Sequence, residues 1–341
     1  LASSRGELHR ALFSATVTAL AWSPIRIIVI GATGHIGTFL IPRLVAAGHE
    51  VIAASRGTRE PYQRHAAWAE VERVTIDRST EELAGTFGDR IAALRPDVVI
   101  DLICFTLESA RHLVQALETG EALLLHCGTI WVHGHSTIVP TTESQPREPF
   151  GDYGIQKAAI EKWLLDAARS EVIRAAILHP GHIVGPGWAP LNPAGHFDPA
   201  VFTQLANGEE LILPNLGMET VHHVHADDVA QAFELAVTHA DRAVGESFHV
   251  CSPAAMTLRG YAEGVAAHFG RRARLAFLPW DEWRRTVTDA QAGATWDHIT
   301  HSPNCSIAKA RERLGYAPRY TSLQAVIEAV EWTPESLAFR E

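Results

Sequence analysis

Tyr153 and Lys157 stand four residues apart in a stretch that continues through Ala158, Ile160, Trp163 and Leu164. That spacing places a phenol and an ammonium one turn apart on the same face of a helix. A phenol is a poor base near neutrality because its ordinary pKa is about 10. A nearby ammonium, or a cationic ring bound beside it, favours the phenolate, so the pair reads as an acid/base with Lys157 lowering the phenol pKa. Thr129 stands two residues beyond the largely apolar run Ala122 to Cys127 and could hold the substrate oxygen whose proton Tyr153 exchanges. Taken alone, Tyr-x-x-x-Lys is most often a surface pair. Its position after a strand that closes on a hydroxyl residue gives it weight.

A second group of residues suits phosphate. Ile27-Ile28-Val29-Ile30 is too short for a helix and is closed by Gly31-Ala32-Thr33-Gly34-His35-Ile36-Gly37, after which Phe39, Leu40, Leu44 and Val45 recur at helical spacing. A buried strand therefore feeds a helix through a glycine turn. Gly31 permits the turn, Gly34 lets a pyrophosphate approach the backbone, and Gly37 lets helix and strand pack closely. Thr33, His35 and Ile36 complete this expected cofactor cradle, whose spacing is Gly-x-x-Gly-x-x-Gly, not Gly-x-Gly-x-x-Gly. The next strand, Glu50 to Ala54, ends in Ser55-Arg56. An acid there would bind the ribose 2′-hydroxyl of NAD, whereas a hydroxyl followed by arginine suits a 2′-phosphate, so NADP is preferred over NAD.

The elements that position these groups follow in order. Arg73 to Asp77 reads as a third strand, with Asp77 placed to accept from an adenine amino group; Leu83 to Leu94 reads as a helix. Asp97 to Ile103 is a fourth strand, with Leu102 on the cofactor side, Leu107 to Leu117 a helix, and Ala122 to Cys127 a fifth strand. Asp152 is the expected N-cap of the helix carrying Tyr153. Strand and helix alternate without hairpin signals, which predicts an α/β fold: a Rossmann-type, doubly wound parallel sheet covered on both faces. The expected division is an extension over 1–24, a dinucleotide-binding domain over 25–180 completed by about 221–252, and a smaller C-terminal substrate lobe over 181–341.

The chain of 341 residues is 47% hydrophobic, enough for a large core, and its net charge of −10 offers nucleic acid no general attraction. A small-molecule partner is the expectation. Cys104, Cys127, Cys251 and Cys305 are widely spaced and form no Cys-x-x-Cys pair, which points to the reducing cytoplasm. Arg5 and Arg10 ahead of Ala11 to Trp22 resemble a signal peptide, but an extra N-terminal segment packed on the body, or left disordered, is the preferred expectation. No stretch approaches the roughly 20 apolar residues of a membrane span.

Several motifs in order resemble the extended short-chain dehydrogenase/reductases, also called the epimerase/dehydratase superfamily. They are the glycine turn, Asp77, Thr129, Tyr153 with Lys157, Leu178 to Gly187, Val224 to Ala230, and Ser306 to Pro318. The resemblance implies hydride transfer at a carbinol or carbonyl carbon, with Lys157 also holding the nicotinamide ribose and the backbone near Pro180 and Gly181 meeting the nicotinamide. It also implies a homodimer formed through the helices after strands four and five.

The sequence departs from that pattern in instructive places. Ile130 and Trp131, not an acid, follow Thr129, so acid-assisted elimination lacks its proton donor. Thr220-Val221-His222-His223 lacks the arginine that clamps a diphosphate in sugar-nucleotide relatives, which weighs against a nucleotide-sugar substrate. Asp101, Ile103 and Cys104 occupy a strand end that is usually small and neutral. His179, His182, His196, His222, His223 and His225 crowd the presumed substrate side without a compact metal motif, so no metal is expected. Trp131, His182, Trp188 and His222 are the candidate substrate contacts, and Trp188, Phe197 and Phe202 hint at an apolar pocket. The favoured reading is an NADP-preferring oxidoreductase of a small alcohol or carbonyl compound. Its rivals are a redox-neutral epimerase with retained NAD and an RNA-binding protein on the same fold.

Overall fold

Residue alternation in the first strand sets the layers. In the computed structural model, which describes residues 24–118 and 120–332, Ile27 and Val29 enter one core and Ile28 and Ile30 the opposite one. The extension and its signal-peptide-like stretch lie outside the described residues.

In chain order the first half comprises β1 (Arg26–Ile30), α1 (His35–Ala46), β2 (Glu50–Ser55), β3 (Glu72–Thr75), α2 (Arg78–Leu83), α3 (Phe87–Ala93), β4 (Val98–Asp101), α4 (Leu107–Leu117), β5 (Leu123–Cys127), α5 (Gly151–Arg169) and β6 (Arg174–Pro180). Next come β7 (His182–Val184), α6 (Ala200–Asn207), β8 (Glu210–Pro214), β9 (Thr220–Val221), β10 (His223–His225), α7 (Ala226–Thr238), α8 (Ala240–Ala243) and β11 (Ser247–Val250). The chain ends with β12 (Met256–Thr257), α9 (Leu258–His268), β13 (Arg274–Leu278), α10 (Trp280–Trp283), α11 (Asp289–His301), α12 (Ala308–Leu314) and α13 (Ser322–Trp332).

Seven strands form one parallel sheet in the order β11-β6-β5-β4-β1-β2-β3. Residues of α1, α7 and α12 fill one face, and residues of α3, α4 and α5 the other. The chain runs outward from β1 to β3 and then returns to β1's other side with β4. That reversal opens a crevice beside β1 at the strands' carboxyl ends, the place where open parallel sheets bind ligands. At one edge of the sheet, β11 is shielded by side chains: Glu143 accepts from the His249 N–H, and Lys309 donates to the Ser247 carbonyl. A third core gathers α6, β8, α9 and α13, with β13 paired parallel to β8.

Four local expectations change. The helix expected over 83–94 is two helices, because Gly85 takes φ +69° between them and Leu83 is exposed. The third and fourth strands stop at Thr75 and Asp101, short of the expected Asp77 and Ile103. Asp152 is not an N-cap; α5 starts at Gly151 and Asp152 sits in its first turn, where a carboxylate still complements the helix dipole. Of the segment 221–252, only β11 joins the main sheet, while β9 and β10 pair with β12 and β7.

The glycine turn is held by contact as well as by torsion. A Cβ on Gly37 would lie 2.0 Å from the Ala32 carbonyl oxygen, whereas one on Gly48, at φ +84°, would meet nothing within 4 Å. Gly37→Ala is therefore expected to destabilise the fold by about 3 kcal/mol through forced backbone displacement. Gly48→Ala should cost only the left-handed torsion, about 1–2 kcal/mol. Urea unfolding of the two variants checks the order.

Candidate active site

Lys157 ends between two strand termini. Its ammonium is almost fully buried and donates to the Cys104 carbonyl at 2.8 Å and the Cys127 carbonyl at 2.6 Å, just beyond β4 and at the end of β5. The Phe105 ring centroid lies 4.9 Å from the same nitrogen and that of Tyr153 5.8 Å away. The Tyr153 ring is half open to the cleft. Burial of the hydroxyl and the nearby Cys127 push its pKa up to about 12, and the neighbouring Thr129 hydroxyl works against them. The lowering expected from Lys157, whose nitrogen is held on the two carbonyls 5.8 Å from the Tyr153 ring centroid, does not outweigh burial in this arrangement.

Thr129 is itself fixed from behind. Its N–H donates to His179 Nδ1 at 2.9 Å, which leaves the proton on Nε2, 3.0 Å from Glu161 of α5. Arg147 grips Glu161 with two hydrogen bonds of 3.0 and 2.7 Å. Gly128 makes this possible, because a Cβ there would lie 2.3 Å from His179 Nδ1. The Thr129 hydroxyl accepts the Trp131 N–H at 3.3 Å, which leaves its own proton for a neighbouring oxygen.

The glycine turn lies at the opening of α1. Gly34 caps that helix without a side-chain bond, so the first N–H groups, at His35, Ile36 and Gly37, face outward without a side-chain acceptor. Gly31, Thr33, Gly34, Ser55 and Arg56 line one pocket together with Arg59 and Arg78. Arg78 is committed to Asp101 at 2.8 Å and to Glu82, so Asp101 serves as a buried counter-ion beneath that pocket. Ile103 closes over Gly31, where a Cβ would be 2.8 Å from its Cγ2. Leu102 is buried, its N–H bonded to the Ile30 carbonyl. Asp77 caps α2 by accepting from the Thr80 N–H, which already occupies one carboxylate oxygen.

On the opposite side of the crevice, Pro180 ends β6, and a Cβ on Gly181 would lie 2.4 Å from the His222 carbonyl. Trp131 meets Tyr153 edge-on at 6.2 Å and stacks on His301 at 4.1 Å. His182 lies at 5.3 Å from both His223 and His298, beside Phe197. Two candidates sit elsewhere. Trp188 stacks on His35 at 5.2 Å and 9°, over the phosphate turn and away from Tyr153. His222 is fully buried, with Nε2 on the Ser252 carbonyl and Nδ1 accepting the Cys305 N–H, so neither nitrogen is left for a substrate. Phe202 and His196 are likewise internal. A cavity of about 570 Å³ between α5 and β11 is lined by paired charges, and neither Thr129, Tyr153 nor Lys157 borders it.

Residues 27–251 match the NAD dependent epimerase/dehydratase family. The chain belongs to that family. It is 27% identical to 2'-dehydrokanamycin reductase of Streptomyces kanamyceticus over 87% of this chain and 82% of the relative. It is 26% identical to dTDP-6-deoxy-L-talose 4-dehydrogenase (NAD(P)(+)) of Kitasatospora kifunensis over 94% and 99% of the two chains. The crystal structure of UDP-glucose 4-epimerase from Thermotoga maritima superposes with a TM-score of 0.69 at 20% identity, covering 92% of this chain and all of that one.

Membership in this NAD-dependent epimerase/dehydratase family accounts for the crevice and leaves several of its neighbours unread. Phe105, Arg59, His298 and His301 carry no motif; only Arg59, three residues beyond Arg56, could have been picked out by its place after a strand end. The Arg147–Glu161–His179 chain has no sequence signal either, because its members lie on three different elements. Burial alone would raise the Glu161 carboxyl, but His179 and Arg147 outweigh it and hold it far below the usual carboxylate range. A depressed folded pKa stabilises above the unfolded value, near 4.3, and that stability is lost as pH falls below it. Glu161→Gln should therefore cost about 3 kcal/mol at pH 7 and flatten the acid limb below about pH 4. Urea midpoints from pH 7 to pH 3 check both.

Proposed function

We propose that the protein is an NADP-preferring oxidoreductase that interconverts a secondary alcohol and a ketone on a small, sugar-like molecule. The observation that carries this is the gathering of Tyr153 and Thr129 beside Lys157, whose ammonium lies 5.8 Å from the Tyr153 ring centroid and is held on the Cys104 and Cys127 carbonyls at the carboxyl ends of β4 and β5. The names of the relatives support carbinol and carbonyl chemistry on sugars, as kanamycin- and talose-directed enzymes.

The residues present fit a nicotinamide dinucleotide: three glycines that tolerate no Cβ without strain or contact, an uncapped α1 N-terminus, and Ser55, Arg56 and Arg59 beside the turn. When bound, the cofactor supplies or accepts the hydride, and its oxidised ring adds the positive charge that favours phenolate. Tyr153 takes the carbinol proton during oxidation and returns it during reduction, while Thr129 orients the oxygen by its hydroxyl. Lys157 holds the ribose end and keeps the Cys104 and Cys127 carbonyls in register. Arg147, Glu161 and His179 keep the Thr129 backbone still. Arg56 and Arg59 take the 2′-phosphate, for which β2 offers no competing acid.

Tyr153→Phe should lower kcat by about 10²–10⁴-fold while changing the NADPH dissociation constant by no more than about threefold. Unchanged turnover in that variant would remove Tyr153 from the mechanism. Arg56→Ala should weaken NADP⁺ binding about tenfold, roughly 1.4 kcal/mol, and leave NAD⁺ binding unaffected. Fluorescence titration of each cofactor reads the second effect. NAD(H) retained stoichiometrically through purification would instead favour the epimerase reading.

A further inference from the structure

We propose that His298, His182 and His223 form an uncharged, acceptor-bearing subsite next to Tyr153 that takes a hydroxyl- or ammonium-rich carbohydrate ring carrying no phosphate. This inference rests on the oxidoreductase reading only for the place of the reacting carbon.

His298 fixes the chemistry of the subsite. Its Nδ1 is 2.7 Å from the Ala294 carbonyl one turn back along α11, so that nitrogen carries the proton and Nε2 presents a lone pair. The ring lies among Trp131 at 5.2 Å, His182 at 5.3 Å and Phe197 at 5.9 Å, and Trp131 in turn touches Tyr153. His301, one turn further on, is tied in the same way to the Asp297 carbonyl and stacks on Trp131, which positions that ring. His182 Nε2 and both nitrogens of His223 are buried without a hydrogen-bond partner. Each unpartnered buried group costs about 1–3 kcal/mol, so His182, in contact with His298 and the half-exposed Phe197, marks a place where a ligand supplies a missing bond, with the fully buried His223 behind it.

The cluster also excludes other ligands. Burial first, joined by repulsion from neighbouring histidines at His182 and His223, lowers the pKa of all three imidazoles, so they offer no charge to an anion. No lysine or arginine is among the charges that act on them. Among the described residues no group of three or more His, Cys, Asp or Glu could hold a metal ion. What remains is the neutral Nε2 lone pair of His298 and the uncharged ring nitrogens of His182 and His223, with the half-exposed Phe197 and with Trp131, surfaces that suit the hydroxyls and the apolar faces of a sugar ring.

The test uses the full chain, with and without NADP⁺, and three probes read by calorimetry: kanamycin, which carries both amines and hydroxyls, trehalose, which carries hydroxyls only, and UDP-glucose. Kanamycin or trehalose is expected to bind and UDP-glucose to bind at least tenfold more weakly; kanamycin alone would identify the donors as ammonium groups, trehalose as hydroxyls. His298→Phe keeps the ring stack and removes the lone pair, and should weaken the binding probe at least tenfold; His298→Gln, which restores an acceptor, should recover part of it. Neither variant should alter NADP⁺ affinity. Tighter binding of UDP-glucose, no binding of either unphosphorylated probe, or full binding by His298→Phe overturns the subsite. If NADP⁺ fails to bind while a probe binds in a His298-dependent way, the subsite stands and the oxidoreductase reading falls.

Discussion

The site depends on a buried ammonium that has no carboxylate of its own. Moving a lysine charge out of water costs several kcal/mol, and the Lys157 side chain is 1% exposed. Two backbone carbonyls and the face of Phe105 offset that cost, and they do so only if the ends of β4 and β5 and the first turns of α5 keep fixed distances. Burial still pushes the ammonium pKa down. The charge therefore acts as a clamp on strand ends, and Tyr153 and Thr129 stand on the elements it clamps. A fold that needs this lysine for its own geometry also keeps the phenol within one turn of it.

Histidines divide into two populations in this chain, and the division explains where function sits. His179, His222, His225 and His249 hold backbone groups or carboxylates together at the joins between strands and loops, and each has at least one ring nitrogen engaged by a defined partner. His225, for example, caps α7 and stacks on Tyr320 at 4.0 Å. His182 and His223 have buried nitrogens without partners, and they lie together on the Tyr153 side of the crevice. The same side chain thus serves as mortar where at least one ring nitrogen holds a defined partner and as a candidate contact where it adjoins the exposed rings near Tyr153.

Much of this was legible in the chain because parallel strands buried on both faces read as unbroken aliphatic runs, and because a glycine turn that must let backbone approach backbone tolerates few other residues. Tyr153 and Lys157 were legible because helical spacing fixes which side chains share a face. The expected helix over 83–94 failed at Gly85, where a positive φ outweighed the apolar periodicity. His222 and Trp188 were misplaced for a different reason: short strands and loops carry no periodicity that says which way a side chain points. His298 was invisible because only the tertiary path of α11, more than a hundred residues after Tyr153, brings it to Trp131.

That path also explains the role of the segment Thr220 to His223, which carries no arginine and is structural. Thr220 bonds Ser302 through its N–H at 2.9 Å and His222 receives the Cys305 N–H, so β9 and β10 are fastened to the loop that follows α11. Fastening that loop carries α11 toward the crevice, and His298 and His301 arrive with their Nδ1 protons already committed to the helix backbone. One set of contacts therefore fastens β9 and β10 and carries α11 to Trp131, where the helix backbone has already set which nitrogen of His298 and of His301 keeps its lone pair.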